Sequence, residues 1–329
     1  GAPNFDVTYY QYTNYSTGSG ASVNRRFGRA YLFEYISGAW ALAKVFDRAV
    51  PTDLERYGTA VAISGDGSVS IITSYKNSGS VSNTAEVHIN TPNPSASPGP
   101  SGTPVIYSSW VLQQTINTTT GADVDISNNG NVIVLAGDAA TVGGFSSAGN
   151  AYIYTRASGT WTLTKTLART DISGQLNQTN YNFGWAVAVS DDGNTVGTLS
   201  YQQNDVYIYR YSAGIWGTPV NINPANAGSR DKETIALSAN GNVAMIGMPG
   251  DQVGCYASAG SIAFMEFSGG VWAQNGNLRT SPTIGSGNGF GRSIAMSEDG
   301  SSFAISGAPY ESSNGLYAVG SVTVFSSFL

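Results

Sequence analysis

One short phrase recurs five times along the chain: Ser-Gly-Asp-Gly at 64–67, Ser-Asn-Asn-Gly at 127–130, Ser-Asp-Asp-Gly at 190–193, Ser-Ala-Asn-Gly at 238–241 and Ser-Glu-Asp-Gly at 297–300. Each copy stands between two apolar, alternating runs. Alternation at period two marks strands, and Asp-Gly or Asn-Gly accepts the positive φ that a tight hairpin needs. Self-similarity at this spacing predicts an all-β array and constrains the fold before any local motif is weighed.

The repeat resolves into four strands. Strand A precedes the turn, as in Thr59–Ser64 and Trp185–Ser190, and strand B follows it, as in Val132–Leu135 and Val243–Ile246. Strand B leads into Gly-Ala-Pro or a relative, at Gly1-Ala2-Pro3, Gly137-Asp138-Ala139, Gly247-Met248-Pro249 and Gly307-Ala308-Pro309. Proline has no N–H for a ladder and so marks a strand exit. Strand C starts at Gly28, Gly102, Gly149, Asn204, Gly260 and Gly320. Strand D opens on a tryptophan, at Trp40, Trp110, Trp161, Trp216 and Trp272. A large aromatic at one register is expected to pack between neighbouring sheets. No segment has a helical period. Four short strands per repeat fit a propeller blade better than a sandwich or a β-helix.

Phe183-Gly184-Trp-Ala-Val-Ala-Val-Ser-Asp-Asp-Gly, and Phe290-Gly291-Arg-Ser-Ile-Ala-Met-Ser-Glu-Asp-Gly followed by Gly307-Ala-Pro, resemble the FG-GAP repeat of the integrin α-subunit N-terminal propeller; Tyr57-Gly58 is a close variant. The resemblance implies a β-propeller of four-stranded blades over 1–329, with six detectable repeats at about 1–56, 57–120, 121–182, 183–231, 232–289 and 290–329. The first lacks strand A and the last stops before its tryptophan, so both are partial, and a seventh blade is possible in a full protein. The chain starts at Gly1 with neither an initiator Met nor a signal peptide, which reads as a processed or trimmed segment. Vacant terminal edges suggest strand exchange or self-assembly. Integrin blades often hold calcium between strands A and B. Here that link is a bare hairpin, too short to wrap an ion with six or more oxygens, so this is a variant without the calcium loop. Asp66, Asp192 and Asp299 are expected to serve the turn itself. Longer loops with Asp138 or Asp251 are the remaining cation candidates.

Net charge is −6, and no basic cluster exists to hold phosphates, which argues against nucleic acid. No apolar run reaches membrane-spanning length. The single cysteine, Cys255, cannot form an intrachain disulfide and has no paired His. Sequons at Asn14, Asn117 and Asn177 fall in expected loops and suggest an extracellular, cell-surface or virion-surface glycoprotein.

No catalytic, cofactor or metal residues stand out. His88, the only histidine, is expected in an exposed insertion, residues 76–101, that ends in a Pro-rich stretch. A second insertion, 4–27, carries Tyr9, Tyr10, Tyr12 and Tyr15 among Asn, Gln and Ser, an amphipathic surface suited to a glycan or a protein partner. Both insertions follow strand B and nominate one rim as a contact surface. The leading expectation is a non-enzymatic adhesion or assembly module. The alternatives are a carbohydrate-binding propeller using the Tyr-rich loop and a hydrolase with carboxylates on one rim.

Overall fold

The structure, a computed structural model, describes residues 5–8, 28–36, 38–47, 55–76, 83–92, 108–118, 123–225, 232–310 and 320–326. The recurring phrase builds a repeated clasp. In the first copy the Ser64 hydroxyl donates to Asp66 Oδ1 (2.6 Å) and accepts the Val69 amide (3.0 Å). The carboxylate also accepts the Ser68 amide at 2.9 Å. Backbone bonds from Gly67 to Ser64 and from Ser64 to Val69, both 2.9 Å, close the turn. Ser127 with Asn129, Ser190 with Asp192 and Ser238 with Asn240 repeat the side-chain set. In the fifth copy Ser297 donates to Asp299, which takes the Ser301 and Ser302 amides. The expectation that Asp66, Asp192 and Asp299 serve the turn is met, and Asn129 and Asn240 take the same place in the other two copies.

Six antiparallel sheets are counted among the described residues, and a clasp joins the first two strands of all but the first. The first holds β1 (Phe5–Thr8), β2 (Ala30–Ile36) and β3 (Ala39–Phe46), and the second β4 (Glu55–Ile63), β5 (Val69–Lys76), β6 (Asn83–Pro92) and β7 (Ser108–Thr118). The third holds β8 (Val124–Ile126), β9 (Val132–Gly137), β10 (Asn150–Ala157) and β11 (Thr160–Leu167). In the fourth, β12 (Phe183–Val189), β13 (Thr195–Ser200) and β14 (Asp205–Ser212) are followed by two short strands on β14, β15 (Ile215–Trp216) and β16 (Val220–Asn221). Pro219 lacks the N–H that would let strand D run unbroken there. The fifth sheet has β17 (Thr234–Leu237), β18 (Val243–Met248), β19 (Ser261–Ser268) and β20 (Val271–Gln274), and the sixth β21 (Ser293–Met296), β22 (Phe303–Ala308) and β23 (Ser321–Ser326). Three of the six sheets are four-stranded, so a uniform four-stranded blade is not what these residues form.

The chain divides into two compact units, 1–133 with 155–162 and 134–154 with 163–329. In the first, Leu32, Phe46, Tyr57, Ile72 and Trp110 form a buried cluster. In the second, Leu199, Val206, Ile208, Ile246 and Met265 form one, and Met245, Phe264, Phe290 and Ala308 another. Within the second unit successive sheets dock through the Phe-Gly dipeptides. The Phe183 amide donates to the Ala148 carbonyl at 3.1 Å and the Phe290 amide to Ala259 at 3.0 Å. A Cβ on Gly149 would stand 2.2 Å from the Phe183 carbonyl oxygen, and one on Gly184 2.1 Å from that of Asn150. Both glycines hold φ of +81°, so only glycine allows this approach.

Four expectations are corrected. Strand C of the second sheet is β6, not the run from Gly102, because Asn83–Ile89 alternates and pairs with β5 from Thr84 to Ile89. His88 therefore sits within a sheet, 8% exposed, its ring 4.6 Å from that of Phe46, and is no loop residue. The Pro-rich stretch follows strand C rather than strand B, so the two insertions do not share a connection type. In the first sheet the strand paired with β2 is Phe5–Thr8, within the segment expected to be an insertion.

Candidate functional site

In antiparallel sheets strand B ends where strand C begins, so the B–C connections of one unit gather at one end of its sheets. In the second unit two of them are built alike. After β9, Val142 and Phe145 exchange amide bonds of 3.1 Å in a small hairpin, and after β18 Val253 and Tyr256 do the same. Both aromatic tips are exposed. At the base of the second loop Asp251, 3% exposed, accepts the Ser261 hydroxyl at 2.6 Å.

The connection between β13 and β14 is a tight turn instead. The Asn204 amide donates to the Tyr201 carbonyl at 3.2 Å, and Asn204 takes φ of +58°. Asp205 follows it and gathers donors. Oδ2 accepts from the Tyr207 hydroxyl (2.8 Å) and the Tyr181 hydroxyl (3.4 Å), and Oδ1 from Asn223 Nδ2 (2.6 Å) and Asn221 Nδ2 (3.0 Å). Burial, with these bonds to Tyr181 and Asp205, pushes the Tyr207 phenol far above its ordinary value, so it stays protonated as a donor. The Arg169 guanidinium lies 4.0 Å over the Tyr181 ring.

Lys232 completes the group. Its amide donates to Asn204 Oδ1 at 2.9 Å and its ammonium to the Asn204 carbonyl. It holds the register that Gly184 and Gly291 hold in neighbouring copies, counted back from the Ser of the clasp. Asn204 likewise holds the register of Gly149. Where the Phe-Gly against Gly contact is missing, Lys232 on Asn204 remakes it. The residue is 4% exposed. Burial lowers its proton affinity to about 8, against a partial rise from the Asp205 and Asp251 carboxylates. A desolvated amine titrating near neutrality beside two carboxylates can pass a proton in either direction. Among the described residues no group of three or more His, Cys, Asp or Glu side chains could hold a metal ion.

The residues singled out from sequence fare unevenly. Tyr9, Tyr10, Tyr12, Tyr15 and Asn14 lie outside the described residues. Asn117 is exposed on β7 rather than in a loop. Asn177 is half-buried in a loop, its Oδ1 enclosed and without a hydrogen-bond partner. Trp161 is 1% exposed, its indole N–H donating to the Gly130 carbonyl at 3.1 Å, and Trp110 is also buried. Trp216 and Trp272 are half-buried, whereas Trp40 is 52% exposed and packs only partway, against Tyr35. Cys255 is a free, exposed thiol. Lys232, Asp205 and Tyr207 were not visible as site residues. The usable signal was Asp231-Lys232 standing in place of Phe-Gly before the Ser238 clasp.

No known family pattern and no curated protein matches the sequence. Solved structures do. One is a Bacteroides uniformis protein assigned as a 6-phosphogluconolactonase, 13% identical over 96% of this chain and 77% of that one, with a TM-score of 0.55. Another is the Pseudomonas aeruginosa periplasmic gluconolactonase, 15% identical over 92% and 79%, at 0.50. A third is Chaetomium thermophilum Sqt1, 13% identical over 93% of this chain and 64% of that one, at 0.53. These likenesses carry the fold, and the chain is an all-β propeller. They also correct the expectation of a non-enzymatic adhesion or assembly module, since two of the three carry the name of a lactone hydrolase. No helix among the described residues is long and apolar enough to cross a membrane.

Proposed function

We propose that the protein is a hydrolase of cyclic esters, with its site at the B–C end of the second unit's sheets. The observation that carries this reading is Lys232, buried against Asn204, where desolvation lowers its proton affinity to about 8 despite the fields of the Asp205 and Asp251 carboxylates. The neutral amine takes a proton from a bound water as the water oxygen bonds to the lactone carbonyl carbon. The ring C–O bond then breaks, and the ammonium returns the proton to the leaving oxygen. Asp205 is saturated by four donors and holds the frame rather than the proton. The lactonase names of two structural neighbours support the substrate class. On the same reading the six sheets are six blades of one propeller, and their Phe-Gly docking supports an FG-GAP-type repeat.

The test is proton release in a pH-stat with five- and six-membered sugar lactones. Turnover that rises with pH to a plateau above about pH 8, and a loss of about 100-fold or more in K232M, is the expected result. Absence of turnover on every lactone, or a K232M enzyme as fast as the parent, refutes the proposal.

A further inference from the structure

Lys232 and Glu233 are consecutive at the entry to β17, and their side chains serve opposite neighbours. Lys232 bonds to Asn204, while Glu233 meets Arg292, with Oε2 3.3 Å from Nη1. Arg292 opens on a groove of about 660 Å³ along the sixth sheet, a size that suits a small ligand. Its floor and sides come from Gly307, Pro309, Tyr310, Ser321 and Val322. Val322 is 69% exposed and Tyr310 is exposed as well, so the lining offers apolar and aromatic surface to solvent. The guanidinium stands 5.9 Å from the Tyr310 ring centroid. It is half exposed and contacts Glu233 through one nitrogen, which leaves its other donors for a second acceptor.

We infer that this groove binds a small carboxylate with a planar apolar body, its carboxylate on the Arg292 fork and its body along Tyr310, Pro309 and Val322. A planar fork matches a carboxylate in two parallel hydrogen bonds. Glu233 already offsets much of the Arg292 charge, so a singly charged group is accommodated and a phosphate dianion is opposed. The site lies on the far side of β17 from Lys232 and does not depend on the hydrolase reading.

The probe is benzoate, titrated into the full chain by calorimetry, with acetate, benzyl alcohol and inorganic phosphate as comparators. Benzoate should bind more tightly than all three. R292Q should weaken it about tenfold or more, and R292K, which keeps the charge but not the fork, about threefold. V322E places a like charge on an exposed wall without touching the core and should weaken benzoate about fivefold or more. K232M should bind benzoate as the parent does, which separates this site from the proposed hydrolytic one. Benzoate binding no tighter than acetate or benzyl alcohol, tighter binding of phosphate, or full benzoate affinity in both R292Q and V322E overturns the inference.

Discussion

Replacing Ser190 by alanine tests the clasp at a fully buried copy. The Ser190 hydroxyl accepts the Thr195 amide at 2.9 Å and donates to Asp192 Oδ1 at 2.5 Å. Ser190 is wholly buried and Thr195 nearly so. Without the hydroxyl the Thr195 amide has no acceptor and no water, a loss of roughly 1–3 kcal/mol. Asp192 keeps the Asn194 amide but loses a charge-assisted bond, of order 1 kcal/mol at a partly solvated carboxylate. S190A should therefore cost about 3 kcal/mol in total. The fifth copy is an internal control. There Asp299, rather than Ser297, takes the Ser302 amide, and the turn is exposed. S297A should cost a small fraction of the S190A effect. Urea unfolding followed by tryptophan fluorescence measures both. Equal shifts in the two variants, or an S190A effect below about 1 kcal/mol, would refute the view that the clasp stabilises by satisfying a buried amide.

G149A drives a Cβ to 2.2 Å from a backbone oxygen at φ +81°, so it should cost about 3 kcal/mol or more, read by the same unfolding curves. W161A should cost about 3–5 kcal/mol and W40A less than about 0.5, because only the first leaves a cavity. Burial raises the proton affinity of Asp66 and Asp192, but the Ser and amide donors outweigh it and hold both below the ordinary carboxylate value. Their contribution is present above about pH 4 and is lost as pH falls through the lower folded values, so D192N should flatten the acid limb of the stability curve. Lys232 gives a slope of the same sign in a higher pH window, because burial disfavours its charged form. Its folded value of about 8 lies below the unfolded 10.5, so the unfolded chain binds more protons in between, and stability relative to K232M should rise by about 1–2 kcal/mol across that window. A pH-independent difference between parent and K232M contradicts this.

The hairpins were legible because each clasp is local. Ser, Asx and Gly within four residues, flanked by alternating runs, leave the backbone one closed solution. Strand C of the second sheet was misread because Gly102-Thr-Pro-Val-Ile-Tyr copies the start of strand C in the other repeats, while Asn83-Thr-Ala-Glu-Val-His-Ile lacks the leading glycine yet pairs with β5 from Thr84 to Ile89. Pairing is a long-range fact that a local pattern cannot report. Tryptophan recurrence was overread in the same way. Trp110 and Trp161 fill buried positions, but Trp40, on the outer strand of the first sheet, has little to cover it.

The candidate site escaped notice for a related reason. Lys232 draws its character from Asn204, Asp205 and Asp251, the nearest of them 19 residues away in sequence. What the sequence did contain was a failure of the repeat. The run leading into the Ser238 clasp has Asp231-Lys232 in place of Phe-Gly, and the fourth repeat starts strand C on Asn204 rather than glycine. Two departures at contacting registers mark a place where packing is remade with polar groups, and such places are where repeats carry chemistry.

The most direct test is the proton affinity of Lys232 itself, followed by nitrogen-15 NMR of the labelled lysine side chains and assigned by the signal missing from K232M. The account predicts one amine that titrates near pH 8, well below the rest. If every lysine titrates above about pH 10, the buried, poised amine does not exist and the proposed chemistry goes with it.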